Sequence, residues 1–177
     1  EYRNAIWKIL TNEFFRKWVE DDSTVLDLGC GYGEFINNLD GCRKHGMDLN
    51  PDARESLDEG ITFHEQDCSE PWSFEPNSID LIFTSNFFEH LPNKQALEKT
   101  VSHAKQALRP GGRIIALGPN ISVLNGRYWD FWDHYIPLTE KSMSEVLSLT
   151  NFKIIKCIPK FLPYTMSNSI NLPSFLL

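Results

Sequence analysis

The chain has 177 residues, 41% apolar and 23% charged, which suits one soluble domain (1–177) with a proper core. No apolar run reaches the roughly 18 residues that span a bilayer, and the first twenty residues mix charge with aromatics instead of showing a signal-peptide layout, so a cytoplasmic protein with no membrane span is expected. The net charge of −7, with no Lys/Arg cluster, argues against nucleic acid as a partner, because neutralising phosphates takes a basic stripe.

Taken in chain order, Ile6, Leu10, Phe14 and Trp18 recur at helical spacing and predict an amphipathic N-terminal helix over 1–20. A short apolar strand, 24–28, runs into glycines, and a helix is expected directly after them over 33–39. A second strand covers 43–48. Asn50-Pro51-Asp52 then reads as a helix start, Asn50 as the cap and Pro51 in the first turn. Strands follow at 61–66 and 79–85, the latter almost wholly apolar and so central in a sheet. A helix over 92–108 buries Leu97, Val101, Ala104 and Leu108. Arg109-Pro110-Gly111-Gly112 is a turn before a fifth strand, 113–117. A short helix, 141–149, and a sixth strand, 152–158, complete the readable part. None of Cys30, Cys42, Cys68 and Cys157 forms a CxxC pair, so free thiols are expected instead of a zinc knuckle or a disulfide framework.

Strands alternating with helices give an α/β fold, a doubly wound and mostly parallel sheet with helices on both faces, whose ligands bind outside the carboxyl ends of the strands. The segment Asp27-Leu28-Gly29-Cys30-Gly31-Tyr32-Gly33 sits at such an end. Glycines there allow a tight turn and close approach by a ligand, and a helix N-terminus after them would offer unpaired N–H groups to a carboxylate. A dinucleotide fingerprint requires Gly-x-Gly-x-x-Gly. Glu34 occupies its third glycine position and would face a pyrophosphate badly, and Asp27 adds negative charge where phosphates would lie. An acidic lip suits a ligand carrying an ammonium and a sulfonium. Asp48, about 20 positions beyond the glycines, can accept from both ribose hydroxyls. Asp67, before Cys68, reads either as an acceptor for an adenine amino group or as a solvated loop acid.

With these residues in place, the chain resembles the class I S-adenosylmethionine-dependent methyltransferases, of the small-molecule type. Val25-Leu26-Asp27-Leu28-Gly29-Cys30-Gly31-Tyr32-Gly33 looks like their first motif, Gly46-Met47-Asp48-Leu49-Asn50-Pro51 like the ribose-acid segment, and Asp67-Cys68 like the adenine-edge pair. The run from Ser78 through Asn86-Phe87-Phe88-Glu89-His90-Leu91 resembles their fourth strand and loop, and Leu108-Arg109-Pro110-Gly111-Gly112 the turn before the fifth. The resemblance covers about residues 22 to 118. It implies a Rossmann-like methyltransferase fold and S-adenosyl-L-methionine as cofactor. It places Gly29 and Gly31, with Cys30 between them, against the methionine moiety and Asp27 near its ammonium. Asp48 is implied at the ribose, Leu49 on the adenine, and Asp67 with the Cys68 amide at the adenine edge. The Asn86 backbone carbonyl is implied at the ammonium. The family ends in a seventh, antiparallel strand, for which Phe161 to Leu177 offers no convincing match, so the last strand is expected to be missing, truncated or rearranged.

Methyl transfer from a sulfonium is an in-line displacement, in which the protein aligns the reactants and excludes water. A hydroxyl acceptor would also need a general base. His90 reads either as that base or as a structural histidine fixing its loop. His134, with Tyr135, lies among Tyr128, Trp129, Phe131 and Trp132, and residues 119–140 read either as an acceptor-side loop or lid, or as an aromatic anchor to the sheet. Some members of the family it resembles place a metal on Glu-x-x-Glu-His here; Asn86 stands in place of the first Glu, so no metal is expected. A small-molecule methyl acceptor is the expected substrate. The competing readings are a cofactor-binding module that does not catalyse and, disfavoured by Glu34 and Asp27, a dinucleotide oxidoreductase.

Overall fold

A computed structural model of the chain describes residues 2–124 and 126–161. Five strands form one wholly parallel sheet in the order β3-β2-β1-β4-β5: β1 (Thr24–Leu28), β2 (Arg43–Asp48), β3 (Thr62–Glu65), β4 (Ile79–Ser85) and β5 (Leu108–Leu117). β1 and β4 are the central pair, Val25 opposite Leu81 and Asp27 opposite Phe83. Both are buried almost throughout, which is why they read as continuous apolar runs. Between β1 and β4 the strand order reverses, so the carboxyl ends of these two strands open onto one crevice.

The alternation of side chains assigns each face its cover. Leu26, Leu28, Met47 and Ile82 pack with Leu97, Val101 and Ala104 of α2 (Lys94–Ala107) and Leu147 of α4 (Glu140–Leu149). Val25, Leu81 and Phe83 pack on the other face with Trp7, Phe15, Phe35, Ile36 and Leu39. Phe83 is the hub of this second core: its ring stacks on Phe35 at 3.7 Å and meets Phe15 edge-on at 5.1 Å.

Four expectations are corrected. The N-terminal helix α1 (Tyr2–Ile9) continues through a π turn, Leu10–Phe15, and a 3-10 turn, Arg16–Trp18, and its fully buried stripe is Trp7, Thr11, Phe15 and Val19, one residue on from the predicted one. Apolar side chains repeating every four residues drift around a 3.6-residue helix, and the wider π turn absorbs that drift. The helix expected over 33–39 contracts to the 3-10 turn Ile36–Asn38, because Gly33 sits at φ +69°, outside right-handed helical space. The Asn50-capped helix, with Pro51 at its first position as expected, is likewise a 3-10 segment, Pro51–Ser56.

The fourth correction concerns residues 152–158, which form no strand. Their β-branched residues carry strand propensity, but Ile154 and Ile155 are exposed and a cleft separates the segment from β5, so no neighbour completes a ladder. The expected turn 109–112 is present as a bulge inside β5, where the pairing passes from Ile79 opposite Leu108 to Leu81 opposite Arg113 and Gly111 takes φ +84°. The stretch in which no seventh strand is expected lies, beyond Phe161, outside the described residues. All four cysteines are free thiols, and among the described residues no helix is long and apolar enough to cross a membrane.

Candidate active site

The turn after β1 is built on backbone bonds to β2. The Gly29 and Cys30 amides both donate to the Met47 carbonyl, at 2.8 and 3.1 Å, and the Gly31 amide donates to Asp48 Oδ2 at 2.9 Å. Gly33 N–H donates to Cys30 O at 2.8 Å. These amides are therefore engaged within the protein, and the expected array of unpaired helix-terminal N–H groups is not what the turn offers. Two glycines serve different purposes. At Gly29 (φ +70°) an added Cβ would lie 2.3 Å from the Phe87 ring, so the residue is fixed by close packing. At Gly31 (φ +47°) nothing lies within 4 Å of that position, and its backbone faces open space.

The electrostatics around this turn are acidic. Asp27, on the second core face, is buried, and desolvation holds its carboxyl well above the ordinary value, partly offset by the Ile36 amide and reinforced by Glu34 and Asp48. Burial also raises Glu34, whose two carboxylate oxygens meet Nε and Nη2 of Arg3 from α1. Burial pushes the Cys30 thiol up, and it raises the Cys68 thiol to about 11, so neither is a nucleophile near neutrality.

An open cleft of about 2020 Å³ lies along the carboxyl ends of β1, β4 and β5 and continues between β5 and residues 152–161. Of the residues singled out from sequence, Asp27, Gly29, Cys30, Gly31, Asn86, His90 and His134 line it. Asp48, Leu49, Asp67 and Cys68 are not part of its lining and stand at or just after the ends of β2 and β3, which the Gln66 backbone amide ties together by donating to Asp48 O at 3.0 Å. Asp48 Oδ1 accepts from the Asn50 amide at 2.9 Å, while Asn50 Oδ1 caps the following turn through the Asp52 amide at 3.1 Å. Leu49 is 67% exposed, an apolar surface with nothing packed over it. Asp67 accepts from both the amide and the hydroxyl of Ser69, each at 2.8 Å, and Cys68 is buried against Thr100 at 3.3 Å. The tip of β4 turns through Asn86, held in left-handed backbone at φ +49°, which Asn tolerates better than most residues.

The cleft also holds a carboxylate whose isolation the sequence does not reveal. Glu89 is 2% exposed, its Oε2 has no hydrogen-bond partner, and desolvation raises its carboxyl to about 7. The residue appears in the sequence only as the neighbour of His90, and its burial follows from β5 and from residues 133–136 folding over it, which no local pattern reveals. Its backbone carbonyl accepts from the Tyr135 and Ile136 amides at 2.8 and 3.1 Å. Tyr135 itself is exposed and does not line the cleft, so it contributes that amide. His90 Nδ1 lies 3.0 Å from the Asp133 carbonyl and 3.2 Å from its Oδ2, and His134 Nδ1 lies 2.9 Å from the Tyr128 carbonyl. The two imidazoles are 5.0 Å apart, centre to centre. Desolvation by burial lowers His134, favouring its neutral form.

The family profile described as "Methyltransferase domain" matches residues 1–156. The chain belongs to this methyltransferase family. Among curated proteins, the domain is 31% identical over 127 residues to a ubiquinone biosynthesis O-methyltransferase of Paraburkholderia phytofirmans, covering 63% of this chain and 53% of that one. Among solved structures, it resembles an S-adenosylmethionine-dependent methyltransferase from Archaeoglobus fulgidus, with a TM-score of 0.71, 22% identity, and 85% of this chain and 69% of that one covered. It also resembles phosphoethanolamine N-methyltransferase 2 of Haemonchus contortus, solved with phosphomonomethylethanolamine and S-adenosylhomocysteine, with a TM-score of 0.62, 20% identity, and 85% and 41% covered. The domain spans about half or less of the length of these curated relatives. The fold is the Rossmann-like methyltransferase fold and the cofactor is S-adenosylmethionine. The residues of the cleft fit that cofactor: a buried acid flanked by two others favours a cationic ligand, and Gly31 leaves the backbone approachable.

Proposed function

We propose that this methyltransferase domain methylates a small-molecule acceptor, with the cofactor over the turn after β1 and the acceptor entering against residues 119–140. The observation that carries this reading is one cleft whose lining brings together Asp27, Gly31 and Asn86 with Glu89, His90 and His134. When bound, S-adenosylmethionine would supply a sulfonium methyl to the nucleophile by in-line displacement, with S-adenosylhomocysteine as the leaving group. On the donor side, Asp27 neutralises the ammonium, with the Asn86 carbonyl as second acceptor, and Gly29, Cys30 and Gly31 line the methionine moiety. Asp48 accepts from the ribose hydroxyls, each of its oxygens keeping a lone pair beyond its backbone partner. The exposed face of Leu49 covers the adenine, with Asp67 and Cys68 at its edge. On the acceptor side, His90 and His134 face the nucleophile and draw off its proton, and the segment 119–140 shields the reaction from water. The relatives named for ubiquinone biosynthesis and phosphoethanolamine methylation support a small acceptor over a macromolecule, as does the acidic net charge.

The test is transfer of labelled methyl from S-adenosylmethionine to a metabolite pool. Label is expected in low-mass products, and His134→Ala or His90→Ala is expected to cut turnover about 10²-fold or more while leaving cofactor affinity unchanged. Cofactor binding without any transfer would establish the non-catalytic module instead. Undiminished turnover in both variants would remove the histidines from the chemistry.

A further inference from the structure

We propose that Glu89, His90 and His134 together bind a divalent transition-metal cation. One ligand atom from each lies within 4.8 Å of the others. Three ligands about 2.1 Å from a common metal stand some 3–3.5 Å apart, so side-chain rotations of about an ångström close the cage. Two carboxylate and imidazole features make this a built site instead of a chance cluster.

The first is Glu89. Its carboxylate is 2% exposed and Oε2 is without a partner. A buried acceptor left without a partner is costly, and among the described residues no Lys or Arg forms an ion pair with it. Gly118, at the end of β5, keeps the space beside Oε2 open: a Cβ there would stand 3.6 Å from it. A cation satisfies the orphaned oxygen where the protein does not.

The second is the outer ring of partners. Metal-binding histidines hold their other ring nitrogen on a carbonyl or carboxylate, which fixes the tautomer and the ring orientation. Both histidines do so here through Nδ1, His134 on the Tyr128 carbonyl and His90 on the Asp133 carbonyl and carboxylate. Nε2 of each ring is thereby left as the lone-pair nitrogen. Phe131 stacks on the His134 ring at 5.1 Å and further restrains it. Two imidazoles and one carboxylate suit Zn²⁺, Mn²⁺ or Fe²⁺ over Mg²⁺ or Ca²⁺. Three protein ligands leave open positions, and the three residues line the cleft. The ligand class for those positions is an oxygen donor, and an acceptor hydroxyl placed there would lose its proton more easily. That role rests on the methyl-transfer reading above, and with the ion bound the histidines promote deprotonation through it instead of as bases, the proton passing to solvent; the binding of the metal does not depend on that reading.

Sequence spacing argues against a metal because Asn86 replaces the first Glu of a Glu-x-x-Glu-His pattern. The fold supplies His134 from the segment after β5 in its place.

The test is titration of chelator-stripped protein with Mn²⁺, followed by loss of the free-ion paramagnetic signal, and with Zn²⁺ by calorimetry. No methyl donor is present, so the outcome is independent of catalysis. One saturable ion per chain is expected, with affinity at least tenfold weaker in each of Glu89→Gln and His134→Gln. S-adenosylmethionine affinity, measured on the same variants, should stay unchanged and shows that they are folded. The absence of saturable binding, or binding that both variants retain in full, overturns the proposal.

Discussion

Gly29 and Gly31 are two letters apart and look interchangeable in the sequence, yet the structure gives them different work. Gly29 is enclosed by Phe87, whereas Gly31 borders open space. Gly29→Ala must place a side chain in left-handed backbone and displace an aromatic ring. The first costs about 1–2 kcal/mol and the second about 1–3 kcal/mol, so a loss of roughly 2–5 kcal/mol in unfolding free energy is expected from denaturant titration. Gly31→Ala carries only the backbone cost and should report mainly as weaker S-adenosylmethionine binding. Equal stability losses in the two variants would contradict this division. The glycine pattern was legible because it follows a strand end. Which glycine packs and which faces the ligand was not, since Phe87 arrives from β4, nearly sixty positions along the chain. The isolation of Glu89 was not legible for the same reason: it is created by residues 118 and 133–136.

Elements were legible where their pattern is self-contained. β4 coincides with its predicted span, and α2 buries the predicted stripe of Leu97, Val101 and Ala104. Elements that depend on a neighbour were not. Residues 152–158 have strand-forming side chains but no strand beside them, and the helix after the glycines is cut short by the backbone of Gly33. The pairing of β2 with β3 creates a contact no single element contains: His45 Nδ1 lies 3.0 Å from His64 Nε2, with Phe74 against both rings. Burial lowers both histidines, and for His45 the neighbouring His64 and Arg43 lower it further. Folded-state values below the unfolded one mean that the unfolded chain takes up protons first as pH falls. The pair's contribution is thus fully present above about pH 6.5 and is lost as pH falls through the lowered folded values. Denaturation of the wild type and His64→Gln at pH 7.5 and at pH 5.5 should show a smaller loss in the variant. A loss as large as that of the wild type would exclude the pair as a source.

At the scale of the whole molecule, strand order explains why dispersed acids meet. Parallel pairing puts the carboxyl ends of β1, β2, β4 and β5 on one edge, and Asp27, Asp48, Asn86 and Glu89 lie at or just beyond those ends. The sequence order of motifs was enough to infer this edge, because a doubly wound sheet leaves few alternatives. The proposed acceptor side was less legible, since residues 119–140 carry little regular structure and are placed by bonds such as the Tyr135 amide to the Glu89 carbonyl. The acidic edge accounts for a cationic cofactor and against a pyrophosphate. Calorimetric titration of the wild type and Asp48→Ala with S-adenosylmethionine and with NAD tests this most directly. Binding of S-adenosylmethionine, no binding of NAD, and affinity for S-adenosylmethionine weakened roughly 10- to 100-fold in Asp48→Ala, as removal of a charged hydrogen-bond acceptor implies, are predicted. Preference for NAD, or an affinity that Asp48→Ala leaves unaltered, would contradict the account.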